Sequence, residues 1–312
     1  MKQLKELGQN FLTDPSVAAE IASAAEIKPG ERVWEIGPGR GILTDELLSF
    51  DPRLTVFELD RRLIPYLDER YGDRLTLIHG DILRQDWQAL ISTVTTEQQS
   101  LSFISTELQR EQREDFGVGL TGSAIPVPSD SNPARGSSSS TISTSSTSST
   151  SPLKLVSNLP YQITSPLLEL LQRYHDRFDC IVLMLQKEVA QRLQADPGSK
   201  AYGALTLRMR LSFDIETLIQ VPRYLFEPVP KVDSTVIRLK PRAHPPQICK
   251  PEIFQRLIRM GFSSRRKTLR NNLRPLYDSP TLDRLQSQSG IELSRRAETL
   301  SEAEFIRLSD LL

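Results

Sequence analysis

The residues best suited to chemistry form a short run directly after an apolar segment, Asn158-Leu159-Pro160-Tyr161. One reaction that such a run could support is transfer of a group to the exocyclic amine of adenine. This amine is a poor nucleophile because its lone pair is delocalised into the ring. The side-chain oxygen of Asn158 and the main-chain carbonyl of Leu159 can bind both amine protons and favour a tetrahedral nitrogen. Pro160 stiffens the turn, and the Tyr161 ring can stack on the base, worth about 1–3 kcal/mol. The run predicts transfer to adenine N6 by positioning; the alternative is a structural turn capped by Asn158.

A glycine-rich turn between a predicted strand and a predicted helix marks a second site, with the sequence Glu35-Ile36-Gly37-Pro38-Gly39-Arg40-Gly41-Ile42-Leu43-Thr44. Glycines such as Gly37 and Gly39 let the backbone approach a ligand closely. The dinucleotide-binding fingerprint has a glycine where this chain has Ile42, which disfavours a nicotinamide or flavin cofactor.

Acidic residues end the next two predicted strands. Glu58 lies 21 residues beyond Gly37, the spacing at which a carboxylate accepts hydrogen bonds from ribose hydroxyls. Asp81 ends the third strand, where it can accept a hydrogen bond from an adenine amine. Each feature alone is as well explained by a tight turn, a solvated acid or a helix cap. Together, without a phosphate-binding lysine, they predict an adenosine site typical of enzymes that use S-adenosylmethionine.

Apolar runs alternate with helical patterns along the chain, and several runs are too continuous to have a solvated face. We predict a parallel, doubly wound sheet in a Rossmann-like α/β domain. The predicted strands are residues 33–36, 54–58, 75–78, 153–156 and 180–185, with an edge strand at 235–239, and the predicted helices are 42–50, 166–175 and 187–195. The two cysteines, Cys180 and Cys249, lack metal-ligand spacing, so we predict reduced thiols and no metal.

The alternation stops between about residues 88 and 152. Fourteen of the fifteen residues 137–151 are Ser or Thr, a composition that cannot bury enough apolar surface to fold. We predict a passive, disordered insertion at about 90–152, in preference to a phosphorylated regulatory tether. The predicted domains are a catalytic domain, 1–242, that contains this insertion, and a small helical, basic, RNA-binding domain, 243–312.

The net charge of zero conceals an uneven distribution. Residues 1–90 carry 11 Lys or Arg against 16 Asp or Glu, whereas residues 221–280 carry 13 against 4. A basic block attracts a phosphate backbone and an acidic block suits a small cationic ligand, although solvated charged faces explain the counts equally well. At helical spacing Arg266, Arg270 and Arg274 share one face, flanked by Arg265 and Lys267, which favours RNA binding.

The chain has no run of 18 apolar residues, and its first residues lack the apolar segment of a secretory signal. We therefore predict a cytoplasmic protein that does not contact a membrane, and we expect a monomer.

These motifs resemble the ribosomal RNA adenine dimethyltransferases, in particular the type that acts on the small subunit. The resemblance covers nearly everything outside residues 88–152. It rests on the runs Gly8-Gln9-Asn10-Phe11-Leu12, Glu35-Ile36-Gly37-Pro38-Gly39, Glu58-Leu59-Asp60, Asn158-Leu159-Pro160-Tyr161, Leu185-Gln186-Lys187-Glu188-Val189, Ala201-Tyr202-Gly203, Pro230-Lys231-Val232-Asp233-Ser234 and Arg265-Arg266-Lys267-Thr268.

The resemblance implies transfer of four methyl groups from S-adenosylmethionine to two adjacent adenines in the 3′-terminal hairpin of small-subunit rRNA, during assembly of that subunit. It implies a cofactor pocket formed by Asn10, Leu12, Gly37, Gly39, Glu58, Asp81 and Asn158. Two features depart from the family pattern. The insertion enters just before the catalytic strand, and Leu183 stands where some relatives have an aromatic residue, so we expect Tyr161 to stack alone.

Three alternatives remain. A large-subunit rRNA adenine methyltransferase of the antibiotic-resistance type shares both turns, but residues 265–271 fit the small-subunit enzyme better. A DNA adenine methyltransferase would usually carry a separate target-recognition domain. A non-catalytic ribosome-assembly or nucleic-acid-binding factor has no physical reason to keep Glu58, Asp81 and Asn158 together.

Overall fold

The computed structural model describes residues 10–92 and 153–312, and the predicted insertion lies almost wholly outside them. Residues 10–86 and 153–312 belong to one compact unit, and the short helix Trp87–Ser92 belongs to another. The strands are β1 (Phe11–Leu12), β2 (Arg32–Ile36), β3 (Arg53–Glu58), β4 (Thr76–His79), β5 (Leu153–Asn158), β6 (Phe178–Gln186), β7 (Phe213–Val221), β8 (Phe226–Glu227) and β9 (Ser234–Pro241). The other helices are α1 (Pro15–Ala24), α2 (Ile42–Leu48), α3 (Ile64–Tyr71), Thr164–Arg173, Lys187–Leu193, Ala204–Ser212, Pro251–Gly261, Leu269–Leu273, Ser279–Ser289 and Glu302–Leu311.

Seven strands form the central sheet in the order β4-β3-β2-β5-β6-β9-β7. The first five run parallel, and β9 pairs antiparallel with both of its neighbours. The predicted α/β fold is confirmed, and the five strands from which we predicted a parallel sheet do run parallel. The prediction of an edge strand at residues 235–239 was wrong, because β9 lies inside the sheet and β7, which was not predicted, forms the edge. Burial explains this, since Val236, Ile237 and Leu239 are fully enclosed.

The two faces of the sheet are covered differently. On one face, α1 and α2 bury small and aliphatic side chains such as Ala18 and Leu47 against Val33. On the other face, the Trp34 ring packs edge-on against Phe57 and Phe178, with ring centroids 5.2 and 6.1 Å apart. Consecutive strand residues point to opposite faces, so Val33 and Trp34 each enter a separate apolar layer. A strand buried on both faces needs a mostly apolar sequence, and within β2 the buried exception is Glu35.

The C-terminal helices enclose a second apolar cluster. Phe254 and Leu257 on Pro251–Gly261 pack with Phe305 of the last helix, and the helix Ala204–Ser212 adds Leu207. The last helix begins with a capping box in which Ser301 and Glu304 satisfy each other's backbone N–H groups. The helical C-terminal region is therefore confirmed, while the domain boundary at 242/243 stays a prediction. None of the helices in the described ranges combines the length and the apolar character needed to cross a membrane.

Candidate active site at the carboxyl ends of the parallel strands

A cavity opens where β2, β3 and β5 end, at the point where the strand order reverses. Ligands of open α/β sheets bind at such a point, beyond the carboxyl ends of the strands. All of the predicted cofactor and catalytic residues line this cavity: Asn10, Leu12, Gly37, Gly39, Glu58, Asp81, Asn158, Leu159, Pro160 and Tyr161. Phe11, Glu35 and Arg40 also line it. The structure thus brings together residues that are up to 151 positions apart.

The glycine turn forms the floor of the cavity. Gly37 and Gly39 have φ angles of +66° and +59°, which residues with a side chain rarely adopt. A Cβ on Gly39 would lie 2.8 Å from the ring of Phe11 on β1. The Arg40 guanidinium lies over the same ring, 4.8 Å from its centroid. The turn therefore needs glycine at these positions, and β1 lies close against it.

Glu58 is buried at the end of β3, with 5% of its surface exposed. Its Oε1 accepts the backbone N–H of Asp60 at 2.7 Å. Burial raises the pKa of Glu58, although hydrogen bonds from the backbone of Asp60 and Gly39 act in the opposite direction. The carboxyl group is thus fixed in orientation by backbone donors.

Asp81 both caps a helix and lines the cavity. Its Oδ1 accepts the backbone N–H of Leu83 at 3.0 Å, which caps the 3₁₀ turn Ile82–Arg84. The cap and the ligand-binding role were competing interpretations in the sequence. Because the Asp81 side chain is 30% exposed and faces the cavity, the geometry allows both.

The Asn158–Tyr161 turn lines the cavity beside Gly37. The Leu159 N–H donates to the carbonyl of Met184 at 3.3 Å, and a Cβ on Gly37 would contact the Pro160 ring at 3.5 Å. The side-chain amide of Asn158 makes no hydrogen bond to any residue that the structure describes, so its oxygen remains available to a ligand. This turn is held by its backbone and leaves its polar side chain unused.

Tyr161 is fixed at both ends of its side chain. Its backbone begins the 3₁₀ turn Tyr161–Ile163, and its hydroxyl lies 2.9 Å from the hydroxyl of Ser234 on β9. Burial raises the pKa of Tyr161, so the phenol stays neutral. Leu183, by contrast, is fully buried within β6 and does not reach the described lining of the cavity.

Glu35 was not assigned a role from the sequence, yet it lines the cavity. It is 1% exposed, and its Oε2 accepts a hydrogen bond from the Thr44 hydroxyl at 2.7 Å. Burial raises its pKa to about 8, and the nearby charges of Glu58 and Asp45 act in the same direction. The sequence did contain a signal for Glu35, an acidic residue within an apolar strand, because burying a charge without a partner is costly.

Nowhere in residues 10–92 and 153–312 do three His, Cys, Asp or Glu side chains converge as a metal site requires.

The predicted row of cations on one helix face was wrong. The helix Leu269–Leu273 begins only after Thr268, whose hydroxyl accepts the Asn271 N–H at 3.3 Å and so caps it. Arg266 therefore lies in a turn and cannot share a helical face with Arg270. Buried Asn272 holds this turn by donating to the carbonyls of Gly261 and Ser264, at 2.5 and 3.0 Å.

The five predicted RNA-binding cations divide into two groups. Arg265 donates to the carbonyls of Lys200 and Tyr202, at 2.8 and 2.7 Å, and Arg270 pairs with Asp283 at 2.5 Å. The three exposed cations whose side chains pair with no described residue are Arg266, Lys267 and Arg274. Two of the five thus stabilise the protein, and three remain available to a polyanion.

The sheet order, the glycine turn and the acids at successive strand ends define a Rossmann-like, S-adenosylmethionine-dependent methyltransferase. Two solved structures have a similar fold. The 23S rRNA methyltransferase ErmE is 24% identical with a TM-score of 0.61, covering 97% of this chain and 99% of that one. A dimethyladenosine transferase from Plasmodium falciparum is 23% identical with a TM-score of 0.63, covering 96% and 95%.

The particular family follows from the sequence comparisons. The model of the family "Ribosomal RNA adenine dimethylase" matches residues 1–312. The chain is 37% identical to the ribosomal RNA small subunit methyltransferase A of Picosynechococcus sp., over all of this chain and 98% of that protein. It is 38% identical to the protein of that name from Magnetococcus marinus, over 98% of this chain and 90% of the relative. The chain belongs to the ribosomal RNA adenine dimethylase family.

Proposed function

We propose that this enzyme transfers methyl groups from S-adenosylmethionine to N6 of two adjacent adenines in the 3′-terminal hairpin of small-subunit (16S) rRNA. The products are N6,N6-dimethyladenosines, formed while the small subunit is assembled. Both relatives reported above are small-subunit enzymes by name, which supports this choice over a large-subunit substrate. The similarity to ErmE is one of fold and does not favour the alternative.

The cavity has the features that the methyl donor requires. S-adenosylmethionine supplies a methyl group on a positively charged sulfur. Gly37 and Gly39 line the cavity in a backbone conformation that glycine adopts readily, so their peptide groups can face the ligand. Glu58 has a fixed carboxyl that would accept the ribose hydroxyls, and Asp81 would accept the adenine amine of the donor. Asn10 and Leu12 would form the wall nearest β1.

The observation that carries the proposal is the free amide of Asn158 at the cavity wall. Its oxygen and the carbonyl of Leu159 would accept the two N6 protons of the target adenine, which concentrates the nitrogen lone pair in one direction. As the new bond to carbon formed, the carbon–sulfur bond of the donor would break and its electron pair would stay on sulfur, which leaves S-adenosylhomocysteine. The nitrogen would lose one proton to water. None of these steps requires a charged side chain, so the protein acts by positioning the amine and excluding solvent.

Tyr161 would hold the base itself. Its ring can stack on adenine, and the hydrogen bond to Ser234 fixes the plane of the ring before the base arrives. Because Leu183 is buried away from the cavity, the second face of the base would meet another group or remain open. We infer that Tyr161 is the main aromatic contact of the target base.

The larger partner is the assembling small subunit, to which we propose that the enzyme binds as a monomer. Arg266, Lys267 and Arg274 would contact rRNA phosphates from the helical region 243–312. These three cations are exposed and unpaired among the described residues. Phosphate contacts of this kind orient a protein on RNA and make binding dependent on salt.

The test is methyl transfer to undermethylated small subunits and to naked rRNA, followed by mapping of the modified bases. We expect dimethylation of two adjacent adenines near the 3′ end. Asn158→Ala should bind the cofactor within about threefold of wild type and lose at least about 100-fold in methyl transfer. The exposed amide Gln191 supplies the matched control, Gln191→Ala, which should retain full activity. Methylation of large-subunit rRNA, or a fully active Asn158→Ala variant, would contradict the proposal.

A further inference from the structure

Glu35 is an acid that the proposed chemistry does not use. It lies on β2 between two buried apolar residues, Trp34 and Ile36, and is itself 1% exposed. Its carboxyl group faces the cavity, and the Thr44 hydroxyl is its hydrogen-bond donor at 2.7 Å. No cation of the described chain pairs with it. A charged carboxylate in this position lacks the partner that buried charges require.

The groups around Glu35 increase this electrostatic cost. Glu58 approaches from β3 and Asp45 from α2, and both are acidic. Tyr71 faces it from α3, and its hydroxyl donates to Asp45 at 2.8 Å. Arg70 forms an ion pair with Asp45 at 2.5 Å, so its positive charge is already used by that acid. On β5 the residue beside Glu35 is Val156, which carries no charge. The empty cavity therefore favours the neutral, protonated form of Glu35.

A cationic ligand would reverse this preference. S-adenosylmethionine carries positive charge on sulfur and on its amino group. An opposite charge within a few ångström stabilises a carboxylate, most strongly where water is excluded. Glu35 lies beneath the glycine turn that the ligand would cover, so binding would supply the missing partner.

We propose that Glu35 is a proton-linked binding residue, which holds its proton in the empty enzyme and releases it when the cationic methyl donor binds. The identity of the ligand rests on the proposed function. The released proton passes to solvent, and the carboxylate then faces the positive charge of the donor. Binding of the donor thus adds one negative charge to the cavity, at Glu35.

The linkage has a measurable size. With the group titrating near pH 8 in the empty enzyme, binding at pH 7 should release about 0.9 proton from this residue. The fraction of enzyme with an ionised Glu35 rises about 50-fold from pH 6 to pH 8 and about twofold from pH 8 to pH 9. The ratio of the donor affinities of wild type and Glu35→Gln should increase by the same factors.

The experiment is calorimetric titration of full-length protein with S-adenosylmethionine from pH 6 to pH 9, in buffers of different ionisation heat. Glu35→Gln keeps the shape of the side chain and should release about one proton fewer at pH 7. The donor's own amino group titrates equally against both proteins and cancels in the comparison. Thr44→Val removes the hydroxyl that stabilises the carboxylate, so its affinity profile should shift to higher pH.

The outcomes separate the two proposals. Equal proton release by wild type and Glu35→Gln would overturn the linkage and leave the proposed function intact. If Glu35→Gln does not fold, an unshifted profile in Thr44→Val overturns the linkage instead. Failure of wild-type protein to bind the donor at any pH would remove the proposed function together with this inference.

Discussion

The stability of the cofactor-free enzyme should depend on pH through Glu35. Its pKa is raised to about 8 in the folded protein, against an ordinary value of 4.5 for a glutamic acid in water. Between these values the folded state binds a proton that the unfolded state has lost, so the free energy of unfolding falls as the pH rises. The stabilising contribution is complete below pH 4.5 and is lost as the pH rises through 8. Each pKa unit corresponds to about 1.4 kcal/mol, which gives a loss of about 3–4 kcal/mol between pH 5 and pH 8.

Glu35→Gln removes this titration while keeping the Thr44 hydrogen bond possible. We expect the difference in unfolding free energy between the variant and wild type to increase by about 3–4 kcal/mol in favour of the variant from pH 5 to pH 8. Urea denaturation of both proteins without cofactor, at four pH values, measures this difference. The exposed residue Glu188 provides Glu188→Gln as the control for removing one carboxylate. A difference that stays constant across this range would refute the assignment of a buried, protonated Glu35.

Three further outcomes test the site. Gly39→Ala forces a residue with a Cβ to adopt φ +59°, which costs about 1–2 kcal/mol before any contact with β1 is considered. Because Gly39 lines the cavity, the turn should shift to relieve this strain, and calorimetry should show at least about tenfold weaker cofactor binding. Tyr161→Phe loses one neutral hydrogen bond and should reduce kcat/KM less than about tenfold, whereas Tyr161→Ala also loses the stack and should cost more than the Phe variant in the same transfer assay. Reversing the charges of Arg266 and Lys267 should weaken rRNA binding and lower its salt dependence in filter-binding titrations. Arg265→Ala should chiefly lower the Tm, because the Arg265 side chain donates hydrogen bonds to two backbone carbonyls of the protein.

The five strands β2 to β6 could be predicted because their mostly apolar runs are local in the sequence. β7 was missed for a physical reason. Its polar and apolar residues alternate, but a register shift between Thr217 and Ile219 interrupts the period. The inner location of β9 depends on pairing with β6 and β7, which are distant in the chain, and no local pattern encodes that choice.

Most of the cavity residues could be predicted because they lie at or just beyond the ends of parallel strands, and these ends converge. Asn10 and Leu12 do not, and they were predicted only from the resemblance to the family. Glu35 was missed because it lies within a strand, where the apolar run concealed its chemistry. The division of the cations was also inaccessible from the sequence. Arg265 and Arg270 are satisfied by Tyr202 and Asp283, and these contacts exist only after the helical region has packed.

The chain between β7 and β9 supports both sides of the cavity. Leu225 accepts two hydrogen bonds from Thr13, each 2.9 Å long, which fastens the strand β1 that lies over the glycine turn. Ser234, nine residues later, steadies the Tyr161 ring. A single insertion or deletion in this connection would therefore disturb the contact with β1 and the contact with Tyr161 together, so its length is constrained on two sides of the cavity.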